Sequence, residues 1–291
     1  MKILNFGSLN IDMVYTVNHL ATPGETVRAV SRDMFCGGKG LNQSVSMAKA
    51  GLSVFHAGLI GPDGQLLIDL LKSCGVDTRY IETVETASGH AVIQVDQKGE
   101  NNIIVYGGAN QAVTPAYIDR VLSYFGKGDV LLLQNEISNL SYIINRAHQK
   151  QMTIAFNPAP FEQSLLELPM EEIDILLVNE VEGAQFSGLT DPNQIARTLQ
   201  TKYNTAVVLT LGKDGAIYAD RDVFLFQPTY PAKVVDTTGA GDTFTGYFLY
   251  GFLTNGDPKL AMELAAKASA IAVSRSGAAK SIPTKAEVEN L

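Results

Sequence analysis

Short, mainly apolar runs recur along the chain, and stretches with helical spacing separate them. The runs are rich in Val, Ile and Leu and lack the polar alternation of strands that face water on one side. Such runs alternating with helices are typical of a parallel sheet that helices cover on both faces. The pattern therefore predicts an α/β fold with a mostly parallel sheet, whose strands are residues 3–7, 54–60, 129–133, 153–156, 173–178 and 206–211.

Polar residues follow these strands at the point where each one ends. Because the carboxyl ends of parallel strands share one edge of a sheet, and ligands bind there in open α/β folds, we expect a single site along that edge. The polar tips are Asn10 and Asp12, Glu136, Asn157, Asn179 and Glu182, and Thr210 with Gly212.

A second, smaller sheet is predicted beside the main one. Residues 14–17 and 26–30 carry strand-forming side chains on either side of a Pro23-Gly24 turn. Residues 89–95 and 101–106 have the pattern of a hairpin, and we assign it to the same small sheet.

A glycine-rich stretch from Val234 to Gly246 has the pattern of a strand, a turn and a helix: a short β-branched run predicts the strand, Thr-Thr-Gly-Ala-Gly forms the turn, and the helix is predicted to begin at Phe244. The first N–H groups of such a helix lack internal partners and attract anions. Asp242 would lie beside that anion, where a carboxylate can take a proton from an attacking hydroxyl. The alternative is an ordinary glycine-rich helix start with Asp at its N-cap.

A second glycine-rich stretch, Cys36-Gly-Gly-Lys-Gly-Leu-Asn-Gln-Ser44, leads into another helix. Its glycines permit close approach of the backbone to a ligand. Lys39 and Asn42 could donate hydrogen bonds to hydroxyl groups. Taken alone, the stretch also fits a surface loop with an exposed lysine.

Composition narrows the function classes. A chain of 291 residues with 46% hydrophobic content fits one large domain. Its net charge of -8, without a basic run, argues against nucleic acid and anionic membranes as partners. Cys36 and Cys74 lack the spacing of a disulfide framework or a metal site.

Without a signal-peptide pattern or an apolar segment of about 20 residues, the sequence predicts a cytoplasmic protein.

The two glycine-rich stretches together resemble the two motifs of the ribokinase-like (PfkB) carbohydrate kinase family. Their order and their separation along the chain match, and the resemblance covers nearly the whole sequence. Supporting segments are residues 7–12, 23–26, 107–110, 157–160 and 178–182. The resemblance implies a three-layer α/β/α domain over residues 1–291, with a small β-sheet lid at about 13–35 and 87–107. It also implies homodimers formed through the lids.

The family also implies an activity, the transfer of the γ-phosphate of Mg-ATP to the primary hydroxyl of a sugar, here D-ribose. Asp242 would be the catalytic base, and the backbone of Gly239, Ala240 and Gly241 would form the anion hole. The positions that match sugar contacts are Asn10, Asp12, Gly38, Lys39, Asn42, Glu136 and Asp242. The positions that match contacts to the nucleotide and its Mg²⁺ are Asn179, Glu182, Thr210, Gly212, Gly215 and Gly241.

An activating K⁺ ion is a further implication of the resemblance. Asp236 would supply a carboxylate, and most of the other ligands would be backbone carbonyls. The matching positions are Asp236, Thr238, Ala272, Arg275, Gly277 and Ser281. One departure concerns the helix near the adenine, where relatives often carry Asn or His and this chain has Leu264-Ala265-Ala266-Lys267.

Other functions stay open at this point. Within the family, the substrate could be fructose, a sugar phosphate, 2-keto-3-deoxygluconate, adenosine or pseudouridine. An anionic sugar would need more cations than Lys39, and a nucleoside would need an apolar slot, for example from Tyr15 or Phe35. A non-catalytic sugar-binding regulator is a rival from another class. A dinucleotide-binding protein is disfavoured because no G-x-G-x-x-G follows the first strand.

Overall fold

The computed structural model describes residues 1–291, and the apolar runs of the sequence form its principal strands. The strands are β1 (Ile3–Phe6), β2 (Asn10–Thr16), β3 (Ser31–Gly37), β4 (Val54–Ile60), β5 (Asp77–Thr83), β6 (Gly89–Val95), β7 (Asn101–Tyr106), β8 (Val130–Gln134), β9 (Thr153–Asn157), β10 (Ile175–Asn179), β11 (Ala206–Thr210), β12 (Ala216–Ala219) and β13 (Phe224–Gln227). The helices are α1 (Lys39–Ala50), α2 (Gln65–Ser73), α3 (Pro115–Leu122), α4 (Leu140–Gln149), α5 (Glu180–Ser187), α6 (Pro192–Tyr203), α7 (Ala240–Asn255), α8 (Pro258–Val273) and α9 (Lys285–Glu289).

Nine strands form the central sheet, in the order β13-β12-β11-β10-β9-β8-β1-β4-β5. The seven strands from β11 to β5 are parallel, and the antiparallel strands β12 and β13 extend the sheet beyond β11. Alternate residues of a strand enter different cores: Leu131 belongs to a core that includes residues of α3 to α6, and Leu132 belongs to a core that includes residues of α1, α2, α7 and α8. The predicted α/β fold with helices on both faces is confirmed.

The second sheet has four strands in the order β3-β2-β6-β7. Strand β2 pairs antiparallel with β3 and parallel with β6, and β6 and β7 form the predicted hairpin. The prediction of a strand at 26–30 was wrong. Ser31 pairs with Thr16, so the connection spans residues 17–30 and is longer than the Pro-Gly turn alone suggested.

Three other predictions at the level of elements need correction. Asn10 and Asp12 do not follow a strand but belong to β2. Val234 and Val235 form no strand; both are largely exposed, and the N–H of Val235 donates to the carbonyl of Val273 at 2.8 Å. Helix α7 begins at Ala240, one turn before the predicted start, so Asp242 lies in its first turn.

No helix of the chain combines the length and the apolar character needed to cross a membrane.

Candidate active site

Helices α1 and α7 lie against each other, and this contact creates the centre of the site. Gly246 permits it, because a Cβ there would lie 2.2 Å from Ser46 Oγ. The Ser46 hydroxyl donates to the carbonyl of Thr243 at 3.0 Å and ties the helices together. The first turns of both helices therefore meet, and α1 presents Asn42 and Gln43 to Asp242 of α7.

Asp242 is a buried carboxylate held by two amides. Its Oδ1 accepts a hydrogen bond from Gln43 Nε2 at 2.9 Å, and its Oδ2 accepts one from Asn42 Nδ2 at 3.0 Å. Burial raises the pKa of Asp242, while the charge of Lys39 and the two amide donors oppose that rise. The carboxylate is therefore fixed in orientation, and its basicity is greater than that of an exposed aspartate.

Lys39 is the cation of the site. Burial by itself lowers the pKa of its ammonium group, but the carboxylates of Asp242, Glu136 and Glu182 outweigh that effect and raise it. Lys39 therefore stays charged and lies among three acidic groups.

Asp12 and Glu136 form the sugar side of the predicted site. Glu136 accepts hydrogen bonds from the Ser8 hydroxyl and from the Lys39 backbone N–H, the latter at 2.9 Å, and burial raises its pKa. Burial, followed by the negative charge of Glu136, raises the pKa of Asp12 to about 6. A side chain at Gly37 would collide with Asp12, because a Cβ would lie 2.1 Å from Asp12 Oδ2.

Two buried amides complete this side. Asn10 Oδ1 accepts a hydrogen bond from Asn110 Nδ2 at 2.7 Å. Asn42 Oδ1 is buried and has no partner within the protein. Gly38 precedes α1 with a φ of 92°, a left-handed conformation that favours glycine. Asn42 therefore brings to the site a buried acceptor whose hydrogen bond is not made within the protein.

A cavity of about 250 Å³ lies beside Asp242 and Lys39. Glu182 reaches it from α5, where Asn179 and Glu182 form a capping box with reciprocal bonds of 2.9 and 3.0 Å. Burial raises the pKa of Glu182. The predicted site residues that line this cavity are Lys39, Asn179, Glu182, Thr210, Gly239, Gly241 and Asp242.

The start of α7 supplies N–H groups to this cavity. Gly239 precedes the helix with a φ of 74°, and neither its N–H nor that of Gly241 has a main-chain acceptor. The N–H of Ala240 differs, since it donates to the Thr237 carbonyl at 3.2 Å. Two of the three predicted anion-hole amides are thus free.

A second cavity of about 430 Å³ adjoins the first, and the two share Thr210, Thr237, Gly241 and Phe244. Most of its accessible lining is apolar. Ala266 of α8 lines it, at the place where the sequence departs from its relatives. The predicted site residues Thr210, Gly212, Gly215, Ala240 and Gly241 line this cavity.

The loops at 236–238 and 274–281 are joined through Asp236. Its Oδ1 accepts hydrogen bonds from the N–H and the hydroxyl of Thr238, at 2.9 and 2.7 Å, and its Oδ2 accepts one from the Gly277 N–H at 2.8 Å. Partial burial raises the pKa of Asp236, but these hydrogen bonds outweigh burial and hold it below its usual range.

Side chains supply few candidate metal ligands in these loops. The chain has no cluster of three or more His, Cys, Asp or Glu side chains arranged to hold a metal ion. The Arg275 guanidinium pairs with Glu287 at 2.5 Å, the Ser281 hydroxyl donates to the Ala278 carbonyl at 2.8 Å, and the Ala272 carbonyl accepts from the Arg275 N–H at 3.0 Å. The donor set fits a monovalent ion only if backbone carbonyls supply most of the ligands.

Three polar residues of the site were given no role in the sequence analysis. Ser8 donates to Glu136, Gln43 donates to Asp242, and Asn157 accepts from Gln43 at 3.1 Å and lines the smaller cavity. Asn157 was noted only as a polar strand tip. Gln43 directly follows Asn42 in the first glycine-rich motif, and that position was the one signal that could have identified it.

The matches to known proteins define the class. The family model described as "pfkB family carbohydrate kinase" matches residues 1–285, so the chain belongs to that family, as the motifs indicated.

Its relatives include ribokinases. The chain is 36% identical to the ribokinase of Bacillus subtilis (strain 168), over 100% of this chain and 99% of the relative. It is 32% identical to the deoxyribokinase of Salmonella typhi, over 98% and 96%. The ribokinase of Thermotoga maritima has a similar structure, with a TM-score of 0.89, 34% identity and coverage of 99% and 98%. The Arabidopsis thaliana ribokinase in complex with ribose and ATP aligns with a TM-score of 0.87, 27% identity and coverage of 99% and 97%.

Proposed function

We propose that this protein transfers the γ-phosphate of ATP to the primary hydroxyl of D-ribose and so forms ribose 5-phosphate. The observation that carries the proposal is the position of Asp242. This buried carboxylate lies where α1, α7 and the smaller cavity meet, in a chain whose full-length relatives include ribokinases.

Asp242 would accept the proton of the attacking hydroxyl. The N–H groups of Gly239 and Gly241, at the positive end of the α7 dipole, would stabilise the charge on the transferring phosphoryl group. Ala240 would complete this anion hole once its N–H leaves the Thr237 carbonyl. The ammonium group of Lys39 would add positive charge on the same side of the base. Phosphoryl transfer requires mainly positioning and charge neutralisation, so this small set of groups suffices.

The sugar would lie against Asn10, Asp12, Gly38, Lys39, Asn42 and Glu136. The free Asn42 Oδ1 and the two carboxylates would accept hydrogen bonds from its hydroxyls. Asp12 and Glu136 also argue against a sugar acid or a sugar phosphate, because one lysine would face two carboxylates and an anionic ligand. A neutral polyol such as ribose fits this charge balance.

The nucleotide would occupy the larger cavity, with its phosphates directed towards the smaller one. Thr210, Gly212 and Gly215 would line its path, and Gly241 lies at the junction of the two cavities. Asn179 and Glu182 would hold Mg²⁺ through water, and the ion would neutralise charge on the phosphates.

A K⁺ ion would bind between the loops that Asp236 joins, with backbone carbonyls as its main ligands. The matching positions are Asp236, Thr238, Ala272, Arg275, Gly277 and Ser281. These loops flank the start of α7, so a bound ion would stabilise the anion hole. Equal rates in K⁺ and Na⁺ would contradict this part of the proposal.

The small sheet would act as a lid on a single kinase domain of residues 1–291. The lid comprises about residues 13–35 and 87–107, and strand β2, which contains Asp12, continues into it. The lid would close over the substrate and exclude water. Exposed apolar side chains on β7 and β3 support pairing of two lids in a homodimer. The free thiols of Cys36 and Cys74 suit the reducing cytoplasm.

A coupled ADP-release assay tests the activity. Mg-ATP and K⁺ would be supplied with ribose, 2-deoxyribose, fructose, fructose 6-phosphate, 2-keto-3-deoxygluconate, adenosine and pseudouridine, one at a time. We expect ribose to have the highest kcat/KM. The deoxyribokinase relative makes 2-deoxyribose the most informative competitor. A different best substrate would overturn the ribose assignment, and turnover of none would favour a sugar-binding regulator.

A further inference from the structure

A row of buried polar side chains runs from the Asp242 carboxylate into the core beneath the site. We call Gln43, Gln134 and Asn5 the amide row; each has 0% exposure. Burying amides costs free energy unless every one is hydrogen-bonded, and apolar side chains would fill the same space at lower cost. The row is therefore a feature that packing alone does not explain.

Gln43 is the first member, and all three of its side-chain hydrogen bonds are to other polar side chains. Its Nε2 donates to Asp242 Oδ1 at 2.9 Å and to Asn157 Oδ1 at 3.1 Å, so both of its N–H donors are in use. Its Oε1 accepts a hydrogen bond from Gln134 Nε2 at 2.7 Å. These three bonds leave the Gln43 amide a single orientation, with its donors directed at the carboxylate.

Gln134 and Asn5 anchor that orientation in the central sheet. Gln134 Nε2 also donates to Asn5 Oδ1 at 3.0 Å. Asn5 Nδ2 donates to the Gly40 carbonyl at 2.7 Å and to Ser44 Oγ at 2.8 Å. The row thus connects neighbouring strands β8 and β1 to the first turn of α1, the turn that precedes Gln43.

Beyond the amide row, Ser44 Oγ, which accepts from Asn5, also bonds to Nδ1 of the buried His56 at 2.8 Å. Burial lowers the pKa of His56 to about 4, so the imidazole is neutral near pH 7. Carboxamides do not titrate in this range either. The row therefore holds groups in place and does not carry protons to or from the base.

We propose that Gln43 is a positioning residue for the catalytic base, and that Gln134 acts through Gln43. Gln43 would fix the plane of the Asp242 carboxylate and favour its ionised form. Gln134 would prevent the amide of Gln43 from rotating its carbonyl oxygen towards that carboxylate. The inference rests on the proposed role of Asp242 as the base.

The pH dependence of kcat separates this role from a purely structural one. A donated hydrogen bond stabilises the carboxylate form, so its loss should raise the pKa of the base. The charged groups near Asp242 are Lys39 on α1, Glu136 after β8 and Glu182 on α5, and substitutions at Gln43 and Gln134 leave all three unchanged. A structural defect would lower kcat or stability without moving the acid limb of the profile.

The experiment compares Gln43→Leu, Gln43→Glu and Gln134→Leu with the wild-type protein. For Gln43→Leu we expect kcat on ribose to fall about 10- to 100-fold, with the KM for ribose changed less than about threefold and the acid limb moved up by about one pH unit. Gln43→Glu should move the limb further, because a second carboxylate would face Asp242. Gln134→Leu should give a smaller shift in the same direction.

Thr205→Val is the matched control, since Thr205 is buried at 3% exposure and its hydroxyl bonds only to the Ala206 carbonyl. It should lower the melting temperature without moving the acid limb. An unmoved limb in both Gln43 variants, or the same movement in Thr205→Val, would overturn the inference. Failure of the wild-type protein to phosphorylate ribose would instead refute the proposed function.

Discussion

At the scale of single residues, the site holds several carboxyl groups close together, although their negative charges repel one another. Glu136, Glu182 and Asp242 lie around Lys39, Asp12 lies near Glu136, and burial raises the pKa of each of the four carboxyl groups. Perturbed carboxyl groups are typical of functional sites, where binding and chemistry require an arrangement that folding alone would avoid.

Asp12 gives a prediction whose sign can be worked out. Its pKa is about 6 in the folded protein against an ordinary value of 3.8, so the folded state binds this proton more tightly and loses stability as the pH rises through 6. Asp12→Asn removes the charge at every pH. We expect it to raise the melting temperature by several degrees at about pH 8 and to change it little at about pH 4. Calorimetry at both pH values measures the difference, and an equal effect at both would contradict the assignment.

At the scale of elements, the approach of α1 to the loop after β1 depends on a single missing side chain. A Cβ at Gly40 would lie 2.3 Å from the backbone N of Ser8 and 2.6 Å from the carbonyl carbon of Gly7. Backbone atoms cannot move aside as the end of a side chain can. Gly40 therefore sets the separation between Ser8 and the start of α1, where Lys39 and Glu136 meet.

Gly40→Ala should push α1 away from this loop. We expect a loss of stability of about 1–3 kcal/mol and a clear rise in the KM for ribose. Gly126→Ala is the matched control, because a Cβ at Gly126 has no atom within 4 Å and its φ lies outside the left-handed region. Denaturant unfolding and steady-state kinetics compare the two. Equal behaviour of both variants would show that the close approach is unimportant.

The elements also show how far the sequence alone could lead. Continuous apolar runs predicted the main strands, because a strand that is buried on both faces has apolar residues at nearly every position. Strand β5 was missed, because five of the seven residues of this edge strand (Asp77–Thr83) are polar. Val234 and Val235 misled for the opposite reason, since β-branched residues favour strands only where another strand is available to pair with them.

The site shows the same limit. Two glycine-rich motifs, about 200 residues apart in the chain, predicted where the site would be. The bond from Gln43 to Asp242 joins residues 199 positions apart, and it depends on how α1 packs against α7. A short sequence motif does not predict how two helices that are distant in the chain pack together. Asn42 was predicted only as a sugar ligand, whereas its amide nitrogen also holds Asp242.

At the scale of the whole molecule, the small sheet leaves apolar side chains in water. Ile103, Ile104 and Val105 of β7 are 50–66% exposed, and Met34 and Phe35 of β3 are 49% and 40% exposed. These residues belong to β7 and β3, the two edge strands of the small sheet. Exposed apolar side chains are typical of an interaction site, and an open edge strand invites pairing with another chain. A second copy of the lid is the occupant that we propose.

The double substitution Ile103→Glu and Val105→Glu should separate the dimer. These residues point to the same side of β7, so the change places two charges on one surface. We expect a dimer for the wild-type protein and a monomer for the variant at micromolar concentration, measured by sedimentation. Val181→Glu, which changes an exposed valine of α5, should remain dimeric. A monomeric wild-type protein would refute the pairing of lids.

The most direct test of the account is the ribose kinase rate of Asp242→Asn, measured beside the affinity of the variant for ribose. Asparagine keeps the shape and many contacts of the carboxylate but cannot accept the hydroxyl proton. The account predicts that kcat falls by about three orders of magnitude or more, while the Kd for ribose measured by calorimetry changes only severalfold. A kcat close to that of the wild-type protein, with ribose still bound, would show that Asp242 is not the base.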